Sequence, residues 1–427
     1  MNLAFSFLIF GTAFFARPVG SLVLGKIGDR YGSKVAIEIA ILMMGISSAC
    51  IAFLPGYNVA GFLGFILLVI LRTLQGFSMG GQYVGSMMFA VQGVPSNKRA
   101  YEFCIAALSG NCGFLFGNVV SCILRASMTK EQLHDWGWRI PFLLAVLACP
   151  AAMYLRLAVE EDIHQEDDEQ VDHVKEALSC WNIRPTVCFA AVVSLGSCGS
   201  YVLFIWLPMW MNTLATPPIK SPFLINTIAQ LLSQILLLPL AGIIIDKSNK
   251  AASVFVCIVS QILLFPLGFH LMQTTKNSYC AGAVMTIVGI FNGAINPAAM
   301  FTFFFEKFPS KIRMTAMGFA YNIGAAIFGG LSPFVATMLH KYDHFAPAYL
   351  IIGTGCLALS GLAGAITYFP PQDMFLRLSS EISISESPHA RREVVQINLV
   401  QTDDINTPLL QANDTIGTQN LEPRQTA

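Results

Sequence analysis

A charged side chain and several amides lie inside one long apolar segment, residues 59–89. Arg72 is followed by Gln75, Gln82 and Tyr83, and helical periodicity places these side chains on neighbouring parts of one helix face. A charge in an apolar helix normally faces a cavity or a partner, and a guanidinium group matches a carboxylate in geometry. We therefore predict that Arg72 binds a solute carboxylate and that the other three side chains line the same site. The alternative is a structural arginine that bonds to the backbone carbonyls of neighbouring helices.

Amide and phenol side chains in other apolar segments are predicted to line the same substrate site: Asn111, Asn118, Asn292, Asn296, Tyr321 and Asn322. Asn111 and Asn118 share a helix face, where Gly110, Gly113 and Gly117 indicate close helix packing. Interhelical hydrogen bonding is the alternative for both asparagines. Asn292 and Asn296 precede Pro297, and this pattern predicts a helix break that exposes carbonyl groups to a cavity.

Three other residues have a mainly structural interpretation. Trp206 and Trp210 share a face near the outer end of their segment, which is typical of an interfacial aromatic belt. A cage for a quaternary ammonium group is the alternative. Arg17 precedes Pro18, and we expect its side chain to reach the nearby interface.

Two short segments, Gly25–Lys34 and Gly242–Lys250, each place an aspartate four residues after a glycine and a base directly after the aspartate. Each lies where one apolar segment ends and the next begins. Glycine permits close helix approach, and the carboxylate could pair with a neighbouring helix end in one conformation only. The residues predicted to gate are Gly25, Asp29, Arg30, Gly32, Lys34, Asp246 and Lys247.

The elements that position these residues are predicted to be membrane-spanning helices. Of the 427 residues, 55% are hydrophobic and 12% are charged, against about 25% charged in a soluble domain. About eleven segments are long and apolar enough to span a bilayer: 3–25, 35–54, 59–89, 103–124, 139–158, 186–212, 222–245, 251–273, 279–305, 314–338 and 346–369. The predicted fold class is an all-α polytopic membrane protein.

The connections between these segments predict orientation and domain organisation. Lys and Arg concentrate in one alternate set of connections and in the tail, so that set and the C-terminus are predicted to be cytoplasmic. We expect an N-terminal bundle of five spans (1–158), an acidic cytoplasmic loop (159–184) and a C-terminal bundle of six spans (185–370). A disordered cytoplasmic tail (371–427) follows, since it is rich in polar residues.

The sequence does not favour an enzyme or a nucleic-acid-binding protein. It carries no phosphate-binding loop and no metal-ligand spacing such as HExxH, and equal numbers of basic and acidic residues give no net charge. We expect no cofactor, no metal and no nucleic acid. The expected partners are a small polar solute and the lipid bilayer of the cytoplasmic membrane, with the protein as a monomer.

Several of these motifs resemble a known family. Gly25–Lys34 resembles the loop signature of the major facilitator superfamily, and Arg72–Tyr83 resembles the fourth-helix motif of its metabolite:proton symporter branch. Asp135–Phe142 is similar to the start of that branch's sixth helix. Phe305–Arg313, with Gly329–Pro333, is similar to its tenth and eleventh helices. The pattern is nearest to that of proline/betaine transporters.

The resemblance implies two helix bundles that move about a central site, and symport of a small polar solute with protons. It also implies about twelve helices, so the chain is predicted to lack the first of them. Gln82 and Gln92 stand where the branch has glutamates, and glutamine cannot carry a proton. Facilitated diffusion, exchange, sodium coupling, or coupling through the missing helix are therefore alternatives. A receptor or a remnant that does not transport is a further one.

Overall fold

The computed structural model describes Phe7, Gly11, residues 13–146, Pro150, Tyr154, and residues 173–178 and 180–368. These residues form helices and connecting turns, with no strand among them. The helices are α1 Arg17–Tyr31, α2 Ser33–Ala52, α3 Tyr57–Ala90, α4 Arg99–Ser127, α5 Lys130–Asp135, α6 Ile140–Val146, α7 His173–Ala177, α8 Ile183–Leu214, α9 Pro222–Asp246, α10 Lys250–Thr275, α11 Ser278–Phe305, α12 Ser310–Tyr342 and α13 Ala346–Thr367.

Nine helices in the described part of the chain are long and apolar enough to cross a membrane: α2, α3, α4 and α8 to α13. Each coincides with one predicted span, which confirms the all-α membrane fold. The other two predicted spans, 3–25 and 139–158, lie partly outside the described residues, and α1 and α6 are their described parts.

Four of the long helices contain π-helical turns. These are Val202–Trp206 and Trp210–Leu214 in α8, Leu231–Leu236 in α9, Ile290–Ile295 in α11 and Ala325–Gly330 in α12. The helix break predicted at Asn292–Pro297 is therefore a π-helical turn, after which Pro297 occupies the first turn of an α-helical segment. Proline is tolerated there because no intrahelical N–H bond is lost. Short π-helical turns occur often at functional sites.

The predicted loop Gly25–Lys34 is mostly helical, which corrects the predicted end of the first span. α1 continues to Tyr31, and Gly32 alone separates it from α2. Gly32 has a φ of 95°, a left-handed value that favours glycine, so the chain turns between two helices within one residue.

Helices before and after α7 pack against each other. We call α1 to α6 the first helix group and α8 to α13 the second helix group. α1 lies along α12, α4 lies along α9, and all these helices belong to one compact unit, residues 1–370. Their division into two separately moving bundles stays a prediction. Of the predicted loop 159–184, the structure describes α7 and a few residues that lead into α8. The tail 371–427 lies outside the described residues.

Two helices are less covered than the rest. Only 11% of the most apolar part of α3 and 17% of that of α4 is buried, against at least 39% in each of the other seven long helices. The close packing predicted around Gly113 on α4 is wrong for the described residues. A Cβ atom built at Gly110, Gly113 or Gly117 would meet nothing within 4 Å.

Candidate functional site: the interface between the two helix groups

The carboxylate of Asp29 lies at the start of the α-helical part of α12, in the opposite group. It accepts hydrogen bonds from the backbone N–H groups of Met314 at 2.9 Å and Thr315 at 2.8 Å, and from the Thr315 hydroxyl. These N–H groups have no intrahelical partner, and a helix N-terminus carries a partial positive charge. Asp29 therefore caps a helix of the second group from the first group.

Asp246 makes the same contact in the reverse direction. From the end of α9 it accepts hydrogen bonds from the N–H groups of Ala100 at 2.8 Å and Tyr101 at 3.0 Å, which begin α4. The sequence motif common to both segments thus produces a common contact. Each aspartate caps the first turn of a helix in the other group.

The glycine four residues before each aspartate explains the motif spacing. A Cβ atom at Gly25 would lie 2.7 Å from the Cα of Thr315, and one at Gly242 would lie 2.7 Å from the Cα of Tyr101. Both glycines therefore allow the backbone of the capped helix to approach. The first residues of the capped helices also match, since Arg99 and Arg313 each donate from Nε to the carbonyl five residues earlier.

An ion-pair network joins the two groups at the same end. The Glu306 carboxylate lies 3.7 Å from Arg99 of α4 and 2.8 Å from Lys250 of α10. Sequence reasoning did not select Glu306, although it lies in the Phe305–Arg313 motif. The signal available was an acidic residue at a helix end, beside two basic connections.

The remaining predicted gating residues surround these contacts. Arg30 follows Asp29 in the last turn of α1, with its guanidinium carbon 5.3 Å from the centre of the Tyr31 ring. Lys34 lies in the first turn of α2, and Lys247 follows the last residue of α9 and is exposed. Their role in gating stays a prediction.

Arg72 contacts other parts of the first helix group. Its Nη1 donates to Gln75 Oε1 at 3.2 Å, and its guanidinium carbon lies 5.0 Å from the centre of the Phe142 ring in α6. Gln75 is buried and donates to the Ser48 hydroxyl of α2 at 2.8 Å. These contacts join α2, α3 and α6, and none of those shown for Arg72 is to a backbone carbonyl, so both solute binding and the structural alternative stay predictions.

Three of the predicted residues, Tyr83, Tyr321 and Asn322, meet where α3 lies against α12 across the interface. The rings of Tyr83 and Tyr321 stack with their centres 4.9 Å apart, and both contact Phe301 of α11. Asn322 is buried and donates to the Gly80 carbonyl of α3 at 2.8 Å. Gln82, beside Tyr83, has a buried Oε1 that lacks a hydrogen-bond partner among the described residues.

Asn111 and Asn118 bond directly to α9. The Asn118 amide donates to Gln230 Oε1 at 2.8 Å, and the Asn111 amide donates to the Gln234 carbonyl at 3.5 Å. Both contacts cross between the helix groups.

Asn292 and Asn296 lie inside the second helix group. One orientation of the Asn292 amide lets both its nitrogen and its oxygen form hydrogen bonds. In that orientation Asn292 donates to Gln261 Oε1 at 3.2 Å and accepts from the Ser200 N–H at 2.7 Å. In the described part of the chain, Asn296 Oδ1 and Gln261 Nε2 are buried without a hydrogen-bond partner. These polar groups link α8, α10 and α11.

The interfacial aromatic belt predicted from Trp206 and Trp210 is wrong. Trp206 is 0% exposed and Trp210 is 1% exposed. Their indole N–H groups donate to Thr337 Oγ1 at 3.0 Å and to His340 Nε2 at 3.3 Å. The two indole groups therefore link α8 to α12 inside the second helix group.

The interfacial position predicted for Arg17 stays a prediction. Because α1 continues to Tyr31, Arg17 lies twelve residues, or about 18 Å, from Asp29 along the helix. Its guanidinium carbon lies 3.7 Å from the centre of the Phe14 ring. The sequence did contain a signal for this residue, an arginine deep in an apolar segment.

Comparison with known proteins agrees with this architecture. The sequence pattern of the Major Facilitator Superfamily matches residues 2–333. The chain belongs to this superfamily. It is 30% identical over 360 residues to a protein of Staphylococcus aureus (strain COL) named as a candidate proline/betaine transporter, covering 81% of this chain and 75% of that protein.

Two further similarities concern sequence and fold. The chain is 29% identical over 346 residues to the inner membrane metabolite transport protein YhjE of Escherichia coli (strain K12), covering 78% of this chain and 77% of that protein. The structure of the proton:xylose symporter XylE superimposes with a TM-score of 0.67 at 17% identity, covering 86% of this chain and 87% of XylE. This superfamily member is therefore a multi-pass membrane protein with a transporter fold, and it is not an enzyme.

Proposed function

We propose that this protein is a secondary transporter that moves a small polar solute across the cytoplasmic membrane by alternating access. The observation that carries the proposal is the pair of reciprocal contacts of Asp29 and Asp246. Each joins one helix group to the start of a helix in the other group, at the same predicted cytoplasmic end.

These contacts suit a gate because they are strong enough to hold one state and weak enough to break. A hydrogen bond to a charged group contributes about 1.5–3 kcal/mol. The carboxylates meet backbone groups that water can satisfy when the end opens, so opening leaves no buried charge. Rigid-body motion of the groups about a central site then exposes the solute to each side in turn.

The proposed solute is an amino acid or betaine-type osmolyte, with a carboxylate as the second class. The name of the Staphylococcus aureus relative supports the first class. The aromatic and amide side chains at the interface also suit a small polar molecule, since Tyr83, Tyr321 and Asn322 meet there from α3 and α12.

We propose symport with protons as the mode of coupling, and the shared fold with a proton:xylose symporter supports it. One observation favours a facilitator or an exchanger as the second candidate. In the described spans, Asp and Glu lie only near helix ends, as Glu38, Glu102, Asp246 and Glu306 do, and Gln82 occupies the interior of α3. A proton would need another carrier there.

Radiolabelled uptake into proteoliposomes tests this proposal. The purified chain is reconstituted and offered glycine betaine, proline, 2-oxoglutarate and citrate, with and without an inward proton gradient. We expect glycine betaine or proline to accumulate above the outside concentration only with the gradient. Empty liposomes and the Asp29→Asn, Asp246→Asn double variant are the controls.

The outcomes separate the candidates. Uptake that only equilibrates with the outside concentration, regardless of the gradient, shows a facilitator and rejects proton symport. Counterflow that requires solute on both sides shows an exchanger. A folded, reconstituted protein that moves none of the four solutes rejects the proposed solute classes.

A further inference from the structure

Arg17 is a charged residue inside the predicted span 3–25, and it has no acidic partner among the residues that the structure describes. Its Nε is buried without a hydrogen bond to any of those residues. The remainder of the guanidinium stacks on Phe14. A charge within a span is costly unless it faces a cavity or a partner of opposite charge. The missing partner can be supplied by an anionic group of a ligand.

Aromatic rings from α3, α8, α12 and the segment just before α1 lie in this part of the interface. The Phe14 ring meets that of Tyr201 from α8 edge to face, with centres 5.2 Å apart. Tyr83 of α3 stacks on Tyr321 of α12, and three residues earlier the backbone of α3 at Gly80 lies against the Arg17 carbonyl. Tyr83, Tyr201, Tyr321 and Arg17 are all half-buried, so part of each side chain remains accessible.

The π-helical turn of α12 fits these rings. A Cβ atom at Gly329 would lie 3.0 Å from the Tyr201 ring, and one at Gly330 would lie 2.6 Å from the Phe14 ring. The absence of side chains at these two adjacent glycines thus leaves room for the rings of Tyr201 and Phe14. A change in the spacing of the groups must therefore move the rings.

We propose that Arg17 and the rings of Phe14, Tyr83, Tyr201 and Tyr321 form the solute site, and that its ligand is an N-methylated zwitterion such as a betaine. The guanidinium group binds the carboxylate through paired hydrogen bonds. Aromatic faces bind the methylated ammonium group by cation–π attraction. This inference deepens the proposed function and rests on it.

The composition of the site discriminates between solute classes. A primary ammonium group brings three N–H donors that need oxygen acceptors or a carboxylate. No Asp or Glu lies in this cluster, so three tyrosine hydroxyls are its side-chain oxygen acceptors, whereas a quaternary ammonium group has no donors to satisfy. A dicarboxylate needs a second cation, whereas Arg72 is bonded to Gln75 in another part of the first group. The site therefore fits one carboxylate and one alkylated cation.

Equilibrium binding to the purified full chain in nanodiscs tests the carboxylate partner. The probe is radiolabelled glycine betaine. We expect Arg17→Gln to raise the Kd about 100-fold, as expected when one member of a buried charge pair is removed. Arg17→Lys keeps the charge but loses the paired geometry, and we expect a rise of about 10-fold. Arg125→Gln, an exposed arginine on α4, is the matched control and should bind like the unmodified chain.

A methylation series tests the aromatic partner. Glycine, sarcosine, dimethylglycine and glycine betaine differ only in N-methyl groups, and we expect affinity to rise along the series. Tyr201→Leu should lower affinity for glycine betaine about 10-fold and flatten the series, since a cation–π contact is lost. Tyr279→Leu, an 88% exposed tyrosine, is the matched control and should keep the slope.

Thermal melting of every variant separates binding from folding, and only variants that melt within a few degrees of the unmodified chain are interpreted. The proposed site is wrong if folded Arg17→Lys binds glycine betaine as tightly as the unmodified chain and folded Tyr201→Leu keeps the slope of the methylation series. In that case, transport by the unmodified chain would leave the proposed function intact. Loss of binding in Arg72→Gln but not in Arg17→Lys assigns the carboxylate to Arg72 and overturns the site. If the unmodified chain transports proline or citrate but does not bind glycine betaine, the ligand class is wrong.

Discussion

Replacing Asp29 with asparagine is expected to shift the helix groups toward a state that is open at the predicted cytoplasmic end. Asparagine keeps the shape but carries no charge, and its single oxygen can accept from only one of the two backbone N–H groups that Asp29 caps at the α12 N-terminus. A hydrogen bond to a charged group contributes about 1.5–3 kcal/mol, so the loss of one of the two amounts to about 2 kcal/mol, or about 30-fold in the equilibrium. Asp246→Asn should act equally through α4.

The two replacements should add, because their partners lie on different helices and are not shared. The double variant should therefore shift the equilibrium by about 4 kcal/mol, or about 1,000-fold. Since alternating access requires both end states, we expect solute accumulation to be nearly abolished. Thermal stability should change less, because other contacts such as those of Asn322 persist.

Cys104 provides a native reporter of this opening. It is 0% exposed on α4, and it lies against Gly242, next to the Asp246 contact. In a variant in which the other cysteines are serine, maleimide labelling of Cys104 should be about 30-fold faster with either aspartate replaced. Asp135→Asn, which removes an exposed carboxylate, should leave the rate unchanged. Slow labelling in both single variants, with normal uptake, would show that these contacts do not gate.

The fold could be predicted from the sequence because membrane helices are local features. Each needs about 20 apolar residues and satisfies its own backbone, so length and composition suffice. Helix ends are harder to predict, because a helix can continue through polar residues beyond its apolar segment. Lys26 to Tyr31 were predicted as loop for that reason, whereas α1 continues through them to Gly32.

The site was harder to predict because it depends on which helices meet. Periodicity placed Arg72 and Tyr83 on nearby parts of one helix face, yet Arg72 contacts α6 and Tyr83 contacts α12. The distance of Arg17 from a helix end depended on where α1 ends, and α1 ends at Tyr31, beyond the predicted end of the span at residue 25. The repeated motif around Asp29 and Asp246 was visible, but its partners are backbone N–H groups, which every sequence contains.

Replacing Gly76 with alanine is expected to destabilise the protein more than any other single methyl addition discussed above. The backbones of α3 and of the segment before α1 approach so closely that a Cβ atom at Gly76 would lie 1.9 Å from the Ala13 carbonyl oxygen. Gly20 and Gly80 make the same kind of contact at 1.9 Å and 2.2 Å. A backbone group cannot rotate away, so the helices must separate. We expect a loss of about 3 kcal/mol.

Gly113→Ala is the matched control, because its added methyl group would meet nothing within 4 Å. Alanine favours a helix over glycine by about 1 kcal/mol, so this variant should melt at the same temperature or higher. Thermal melting in detergent measures the stability of the two variants. An equal loss of stability in Gly76→Ala and Gly113→Ala would show that α4 packs against a further element.

Separation of these helices should also reach the proposed solute site. The carbonyl that limits Gly80 belongs to Arg17, so any movement of α1 away from α3 carries Arg17 and the neighbouring Phe14 away from Tyr83 of α3. Gly76→Ala should therefore lower glycine betaine affinity in the fraction that remains folded, whereas Gly113→Ala should not. Unchanged affinity in folded Gly76→Ala would show that the α1–α3 crossing supports the fold without positioning the site.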